Sequence, residues 1–292
     1  MWDAIAAQIS QATGQTFVLQ DRRSVGGGSI NQAYAVTDGR ATYFVKVNQA
    51  NQLAMFEAEA HALKAIYETH TIGVPRPLLW NIAGNAAFLV TTWIEFGGSR
   101  DAQAWARMGE QLAALHRVHS SQGFGWHHNN TIGSTPQLNP WTPDWQTFWA
   151  EQRLGYQFRL AKRRGGHFPQ QDALIAALPA LLEGHNPLPS MVHGDLWSGN
   201  AAIARTGDPI ILDPAIYFGD REVDLAMTEL FGGFPAAFYE GYRAAYPLEP
   251  GYERRKVLYN LYHVINHFNL FGGSYEGQAN RMIDQLLRWA DA

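Results

Sequence analysis

Apolar residues in the first third of the chain fall into short alternating runs, broken by one longer stripe at helical spacing. A short helix opens the sequence. Phe17-Val18-Leu19 then reads as a strand that runs into Gly26-Gly27-Gly28. Ile30 to Thr37 reads as a second strand and Thr42 to Val47, which alternates, as a third. Asp38-Gly39 between them is a strong tight-turn signal. From Met55 to Thr69 the period lengthens: Phe56, Leu63 and Ile66 share one helical stripe, and Gly73 and Pro75 end it. Phe88 to Ile94 is a further apolar strand, and Gly97-Gly98 marks a boundary after it.

Beyond that boundary the pattern is mainly helical. Trp105, Met108, Leu112 and Leu115 mark one amphipathic helix. Residues 120 to 145 are rich in Gly, Asn, Pro and aromatics and read as a long ordered loop, a kind of segment that often carries function. Strands return around Ile203 and from Ile210 to Leu212, and helices run from there to the end. The expected fold is α+β in two lobes. Residues 1–95 form a small N-lobe with an antiparallel sheet plus helix, and residues 96–292 a larger, mainly helical C-lobe.

Composition narrows the function classes. At 46% hydrophobic and 13% aromatic residues, the 292-residue chain has ample material for a core. A formal net charge of -4 gives no general attraction to nucleic acid or to an anionic membrane, so neither is expected as a partner. The absence of cysteine excludes disulfides, thiolate catalysis and thiolate metal sites, and it fits the reducing cytoplasm, the expected location. Neither a signal peptide at Met1-Trp2-Asp3 nor a run of membrane-spanning length is expected.

The chemistry concentrates in His193-Gly194-Asp195-Leu196-Trp197-Ser198-Gly199-Asn200, followed by Ile211-Leu212-Asp213-Pro214. Asp195 and Asn200 share one tight loop. Asp213 ends the next apolar strand, so a hairpin returns it beside them. Phosphoryl transfer from ATP needs a carboxylate to orient and deprotonate the incoming hydroxyl, hard oxygen ligands for Mg²⁺, and cations against the transferred group. Asp195 suits the first role; Asn200 and Asp213 suit the second. Alone, Asp-x-x-x-x-Asn also serves as a helix cap. Together with Asp213 the run resembles the catalytic loop and metal-binding aspartate of the kinase superfamily. His-Gly-Asp in place of His-Arg-Asp, and Asp-Pro-Ala in place of Asp-Phe-Gly, look like the small-molecule kinases related to aminoglycoside and choline kinases. The resemblance implies a bilobal, protein-kinase-like fold with ATP and Mg²⁺ as cofactors. His193 reads more simply as a neutral residue bonding the loop backbone than as an acid or base.

The N-terminal lobe offers matching parts in the matching order. Gly26, Gly27, Gly28 and Ser29 lie between strands, where backbone N–H groups can cover phosphates. The turn is neither a Walker A loop nor a full GxGxxG, because Asn31 holds the third glycine position. Lys46 sits mid-strand. In the kinase reading it contacts the α- and β-phosphates and is held by a helix glutamate. Glu59 stands three residues after Phe56 and four before Leu63, so it projects from the apolar stripe and needs a partner; Glu57 faces solvent with His61 and Lys64. Thr91, Thr92 and Trp93 match the linker strand whose backbone reads the adenine edge.

A closer resemblance rests on Trp197-Ser198, Asp213-Pro214-Ala215, Gly219-Asp220-Arg221-Glu222, Phe231 to Phe234 and Asn266 to Gly272, with Met55 to Glu59 and Gly133 to Gln137 upstream. Together these look like the fructosamine kinase family, the ketosamine-3-kinases, over nearly the whole chain. The family phosphorylates the third-carbon hydroxyl of ketosamines, after which the 3-phosphate leaves and the amine is restored. The implied partner is a small-molecule ketosamine or glycated lysine, with Asp195 as base and Asn200 and Asp213 on Mg²⁺. Some members carry a cysteine in the glycine-rich loop, where this chain has Ser29. Trp197 either stacks on the sugar or packs the loop. Asp220, Glu222 and Asp224 either receive a cationic amine or form a salt-bridged helix start. His263 and His267, one helical turn apart, read as core or pocket-wall residues rather than a metal site. The rival readings are a kinase of another small alcohol (an aminoglycoside, choline or a B6-type alcohol) and a non-catalytic nucleotide-binding protein.

Overall fold

The computed structural model describes residues 1–26, 31–98 and 101–291. They divide into two compact units: Met1–Ala104 with Gly199–Pro214, and Trp105–Ser198 with Ala215–Ala292.

The first unit begins with helix α1 (Trp2–Thr13) and strands β1 (Asp21–Ser24), β2 (Gln32–Thr37) and β3 (Thr42–Gln49). Helix α2 (Leu53–Thr69) and strands β4 (Pro77–Ala83) and β5 (Ala86–Thr92) follow. The strands form one antiparallel sheet in the order β1-β2-β3-β5-β4. Phe17-Val18-Leu19, expected as a strand, lies outside the sheet; the Gln20 N–H donates to the Thr37 carbonyl and the ladder runs from the polar residue Asp21, on the sheet edge. Ile30, the expected start of the second strand, lies outside the described residues. The β2–β3 turn is closed by Asp38, whose Oδ1 accepts the N–H groups of Arg40 and Ala41.

Both faces of this sheet are covered, and the period of two in β3 and β5 decides which residues go where. Val45, Val47, Ala86, Phe88 and Val90 pack with Ile5, Ala6 and Ile9 of α1. Ala87 and Leu89 pack on the opposite face against Phe56 and Ala60 of α2. Lys46, between Val45 and Val47, therefore points to the α2 side.

Helix α3 (Ala102–Leu115) leads into the second unit, where β6 (Asn130–Ile132) and β7 (Thr135–Gln137) form a small hairpin inside the segment read as a long loop. Helix α4 (Trp145–Phe148) continues through a π-helical stretch, Trp149–Gly155, into α5 (Tyr156–Arg163), and α6 (Gln171–Leu181) precedes β8 (Ser190–Val192). Strands β9 (Ala201–Ile203) and β10 (Pro209–Ile211) pair as a hairpin that belongs to the first unit. Strand β11 (Tyr217–Gly219) returns to pair with β8, and helices α7 (Glu222–Leu230), α8 (Ala236–Ala245), α9 (Tyr252–Phe271) and α10 (Tyr275–Ala290) complete the chain. The second core is aromatic, with Trp145, Phe148, Trp149, Tyr217, Tyr259 and Tyr262 among its buried residues. Among the described residues, no helix is long and apolar enough to cross a membrane.

Candidate active site

In the first unit, Lys46 Nζ lies 2.7 Å from Glu59 Oε1 and 2.6 Å from Asp213 Oδ1. Glu59 shares the inward face of α2 with Phe56, Ala60 and Leu63, whereas Glu57 is exposed. Burial opposes the ammonium charge of Lys46, but the carboxylates of Glu59 and Asp213 outweigh it and hold its pKa above the ordinary lysine value. The cation is therefore permanent near neutral pH. The Lys46 and Glu59 side chains are 11% and 14% exposed, against 54% for Asp213, so the triad presents its third member outward.

The β9–β10 hairpin brings Asn200 and Asp213 to one end. Ile211 pairs with Ala201, and the Leu212 N–H donates to the Asn200 carbonyl at 2.9 Å. Asp213 adopts a left-handed conformation, φ 52°, immediately before Pro214. A non-glycine residue there stores roughly 1–3 kcal/mol of strain, a cost tolerated mainly where a side chain must be aimed. An amide oxygen and a half-exposed carboxylate are the hard-oxygen donors Mg²⁺ takes while keeping water for its other positions, so this pair fits that ion.

Gly26 has open space around its α-carbon, and Gly27, Gly28 and Ser29 lie outside the described residues. Thr91 is buried opposite Phe44 in the sheet. The Thr92 N–H donates to the Arg76 carbonyl and its hydroxyl accepts the Arg76 N–H. The Trp93 ring lies under the Arg23 guanidinium at 4.9 Å.

In the second unit, the loop after β8 is pinned by its backbone. Asp224 Oδ2 accepts the His193 N–H at 2.7 Å, and Oδ1 accepts the Gly194 N–H at 2.8 Å. His116 Nε2 lies 3.0 Å from the same carboxylate, and its Nδ1 lies 2.7 Å from the Tyr242 hydroxyl. Burial works against the Asp224 charge, but the bonds from His116 and the Gly194 N–H pull its pKa below the usual aspartate value. From the other side, the Ala215 N–H donates to the His193 carbonyl at 2.8 Å. Asp195, half-buried, donates its N–H to His193 Nδ1 at 3.2 Å. That nitrogen is therefore an acceptor, and His193 is the neutral imidazole with its proton on Nε2. Trp197 is 39% exposed.

Asp220 and Glu222 are buried and already engaged. Asp220 accepts from Tyr259 at 2.5 Å and from the Glu222 N–H at 3.0 Å, and its Oδ2 lies 2.6 Å from His185 Nε2. Arg255 takes both oxygens of Glu222, at 2.7 and 2.8 Å. As receivers of a substrate amine, both would first have to give up these partners; the geometry is that of a salt-bridged helix start. His263 is buried, its Nδ1 has no hydrogen-bond partner, and burial pushes its pKa down to about 3. His267 Nδ1 donates to the His263 carbonyl at 2.8 Å, and its ring packs among Phe231, Phe271 and Tyr275. Sequence reasoning missed Asp224 as the clamp of the His193–Asp195 loop. The available signal was an acid set between Val223 and Leu225-Ala226-Met227, an apolar run in which a carboxylate must find partners.

The sequence pattern of the family described as "Fructosamine kinase" matches residues 1–289. The chain belongs to the fructosamine kinase family. It is 58% identical over 288 residues to a probable ketoamine kinase of Synechocystis sp., covering 98% of this chain and 97% of that protein. It is 43% identical over 274 residues to the chloroplastic protein-ribulosamine 3-kinase of Arabidopsis thaliana, covering 92% and 83% of the two chains. The crystal structure of a Haemophilus somnus protein assigned as a fructosamine-3-kinase superposes with a TM-score of 0.92 at 30% identity, over 98% of each chain. Aminoglycoside phosphotransferase APH(4)-Ia, in a ternary complex with ADP and hygromycin B, superposes with a TM-score of 0.64 at 16% identity over 99% of each chain, a likeness of fold. This fructosamine kinase family member thus has the α+β, kinase-like fold, and it is a phosphotransferase with an alcohol group as acceptor.

Proposed function

We infer that the chain transfers the γ-phosphoryl group of ATP to the 3-hydroxyl of a ketosamine, a sugar rearranged onto an amine such as a lysine side chain. The observation that carries this reading is the Lys46–Glu59–Asp213 triad, with Asn200 on the hairpin that bears Asp213. Its supports are the ketoamine and ribulosamine kinase relatives.

In this reading Lys46, oriented by Glu59, offers its ammonium to the non-transferred phosphates. Asn200 and Asp213 hold Mg²⁺, which when bound neutralises charge on the phosphates. Asp195 accepts the proton of the attacking hydroxyl, and the bonds from Asp224 and Ala215 fix the backbone that carries it. Thr91, Thr92 and Trp93 are the positions this reading assigns to the adenine. Trp197, exposed two residues from Asp195, offers a ring to the sugar or its amine-bearing arm. The 3-phosphorylated ketosamine then eliminates phosphate, and water hydrolyses the remaining carbon–nitrogen linkage to give the free amine and a dicarbonyl deoxysugar, so the activity is a deglycation.

Two substitutions test the roles. Asp195→Ala is expected to abolish transfer while nucleotide still binds; near-wild-type turnover contradicts the base. Asp213→Ala is expected to lose Mg²⁺-dependent nucleotide affinity; an unchanged Mg²⁺ titration contradicts the metal role.

A further inference from the structure

We propose that Arg153, a buried cation outside every motif of the active site, is a positioning residue for the loop that carries Asp195. The proposal rests on the reading of Asp195 as the catalytic base.

Arg153 is completely buried, at 0% exposure, in the π-helical stretch between α4 and α5. Among the described residues no carboxylate pairs with it. Its guanidinium donates instead to the Leu138 carbonyl at 2.7 Å and to Asn139 Oδ1 at 2.7 Å, and it lies 4.0 Å from the centre of the Tyr217 ring and 4.5 Å from that of Phe148. Its Nε has no hydrogen-bond partner. A buried cation held only by neutral groups is a poor device for stability, since an apolar residue of similar size often does as well or better. A π-helical insertion at such a residue is a frequent mark of a functional constraint.

The bonds from Arg153 lead to the candidate catalytic loop. Asn139, fixed by Arg153, donates to Asn130 Oδ1 at 3.0 Å, and Asn130 donates to the Ile216 carbonyl at 2.8 Å. Gln137, beside them, donates to the Ala215 carbonyl at 3.0 Å and accepts from the Tyr262 hydroxyl at 2.7 Å. Ala215 is the residue against which the loop is built: its N–H holds the His193 carbonyl, and its own carbonyl lies against Gly194. The route from guanidinium to Asp195 is thus a continuous buried chain of side-chain amides, ending on two consecutive backbone carbonyls. Tyr262 provides a second connection, because its hydroxyl feels the charges of both Arg153 and Asp195. Loss of the cation should therefore move the placement of Asp195.

The test compares Arg153→Met, Arg153→Lys and Tyr262→Phe with the parent enzyme and with Asp195→Asn in one ketosamine-dependent ATP assay, with Tm recorded for each. Arg153→Met is expected to lower kcat at least about tenfold and to leave KM for ATP within about twofold. Arg153→Lys, which keeps the charge but not the fork, is expected to regain only part of that kcat. Parent-like kcat in folded Arg153→Met overturns the proposal. So does an equal loss in Met and Lys variants with KM for ATP rising as kcat falls, which is the signature of packing alone. If Arg153→Met does not fold, Tyr262→Phe decides: a several-fold loss of kcat at constant KM for ATP is expected, and parent-like kcat overturns the proposal. Asp195→Asn separates the two levels, because its retaining full turnover contradicts the base itself, whatever Arg153 does.

Discussion

Gly194 lies with its α-carbon against the carbonyl oxygen of Ala215: a Cβ at position 194 would stand 2.2 Å from that oxygen. The glycine also has φ 82°, a region costly for any other L-residue. This contact accounts for the glycine between His193 and Asp195. The loop carrying Asp195 passes so close to the strand-entry backbone at Ala215 that a side chain has no room.

Gly194→Ala follows directly from that contact. The substitution adds about 1–2 kcal/mol of conformational cost and forces the loop away from Ala215. A displacement on the order of 1 Å at a catalytic group lowers turnover by about a hundredfold. Thermal denaturation and kcat together check this; parent-like values for both would show that the loop tolerates the shift.

Lys46→Met strands Glu59 inside the protein. Breaking a buried pair by removing one partner costs about 3–5 kcal/mol. Burial already pushes the Glu59 carboxyl upward against the pull of Lys46, and loss of the ammonium lifts it further. A carboxyl whose folded pKa is raised favours the fold at low pH and loses that contribution as pH rises through the folded value. The stability deficit of Lys46→Met is therefore expected to shrink as pH falls from about 8 toward about 5. Lys46→Met/Glu59→Met is expected to stay nearer the parent than Lys46→Met does. Denaturant titrations at several pH values measure both.

His263 gives a pH dependence of the opposite sense. Its folded pKa of about 3 lies below the unfolded value of 6.5, so the unfolded chain takes up a proton that the native chain refuses. The contribution is present above about 6.5 and is lost as pH falls, at up to about 1.4 kcal/mol per pH unit. His263→Met, which removes the titration and the unpartnered Nδ1, is expected to flatten the stability profile between pH 6.5 and about 5 relative to the parent. Parallel profiles would contradict the burial of a neutral imidazole.

The sequence carries the elements governed by local periodicity. The stripe Phe56, Leu63 and Ile66 defines α2 and separates Glu59 from Glu57, and in the structure it is Glu59 that meets Lys46. Strands β3 and β5 are legible because both faces of the sheet are covered and their apolar residues are dense. Strand β4 is not, since Trp80, Asn81 and Ile82 are only partly buried or exposed and show no alternation. The same limit hides the polar layer of Asn130, Gln137, Asn139 and Arg153. Asn130, Gln137 and Asn139 fall in the segment 120–145 that reads as a long ordered loop, and only long-range packing buries them together with Arg153. The assignment of Gly199–Pro214 to the first unit likewise depends on contacts far apart in sequence, such as the bridge between Gly73 and Ile210.

Phosphorylation position decides the central claim most directly. The chain is incubated with ATP, Mg²⁺ and lysine carrying a ribulose, erythrulose or fructose adduct, and the product is read by ³¹P and ¹H NMR. The expected result is ketosamine-dependent ATP consumption, phosphate on the third carbon, and slow reappearance of unmodified lysine with release of inorganic phosphate. Phosphate on another hydroxyl, or ATP consumption indifferent to all three adducts, would contradict it.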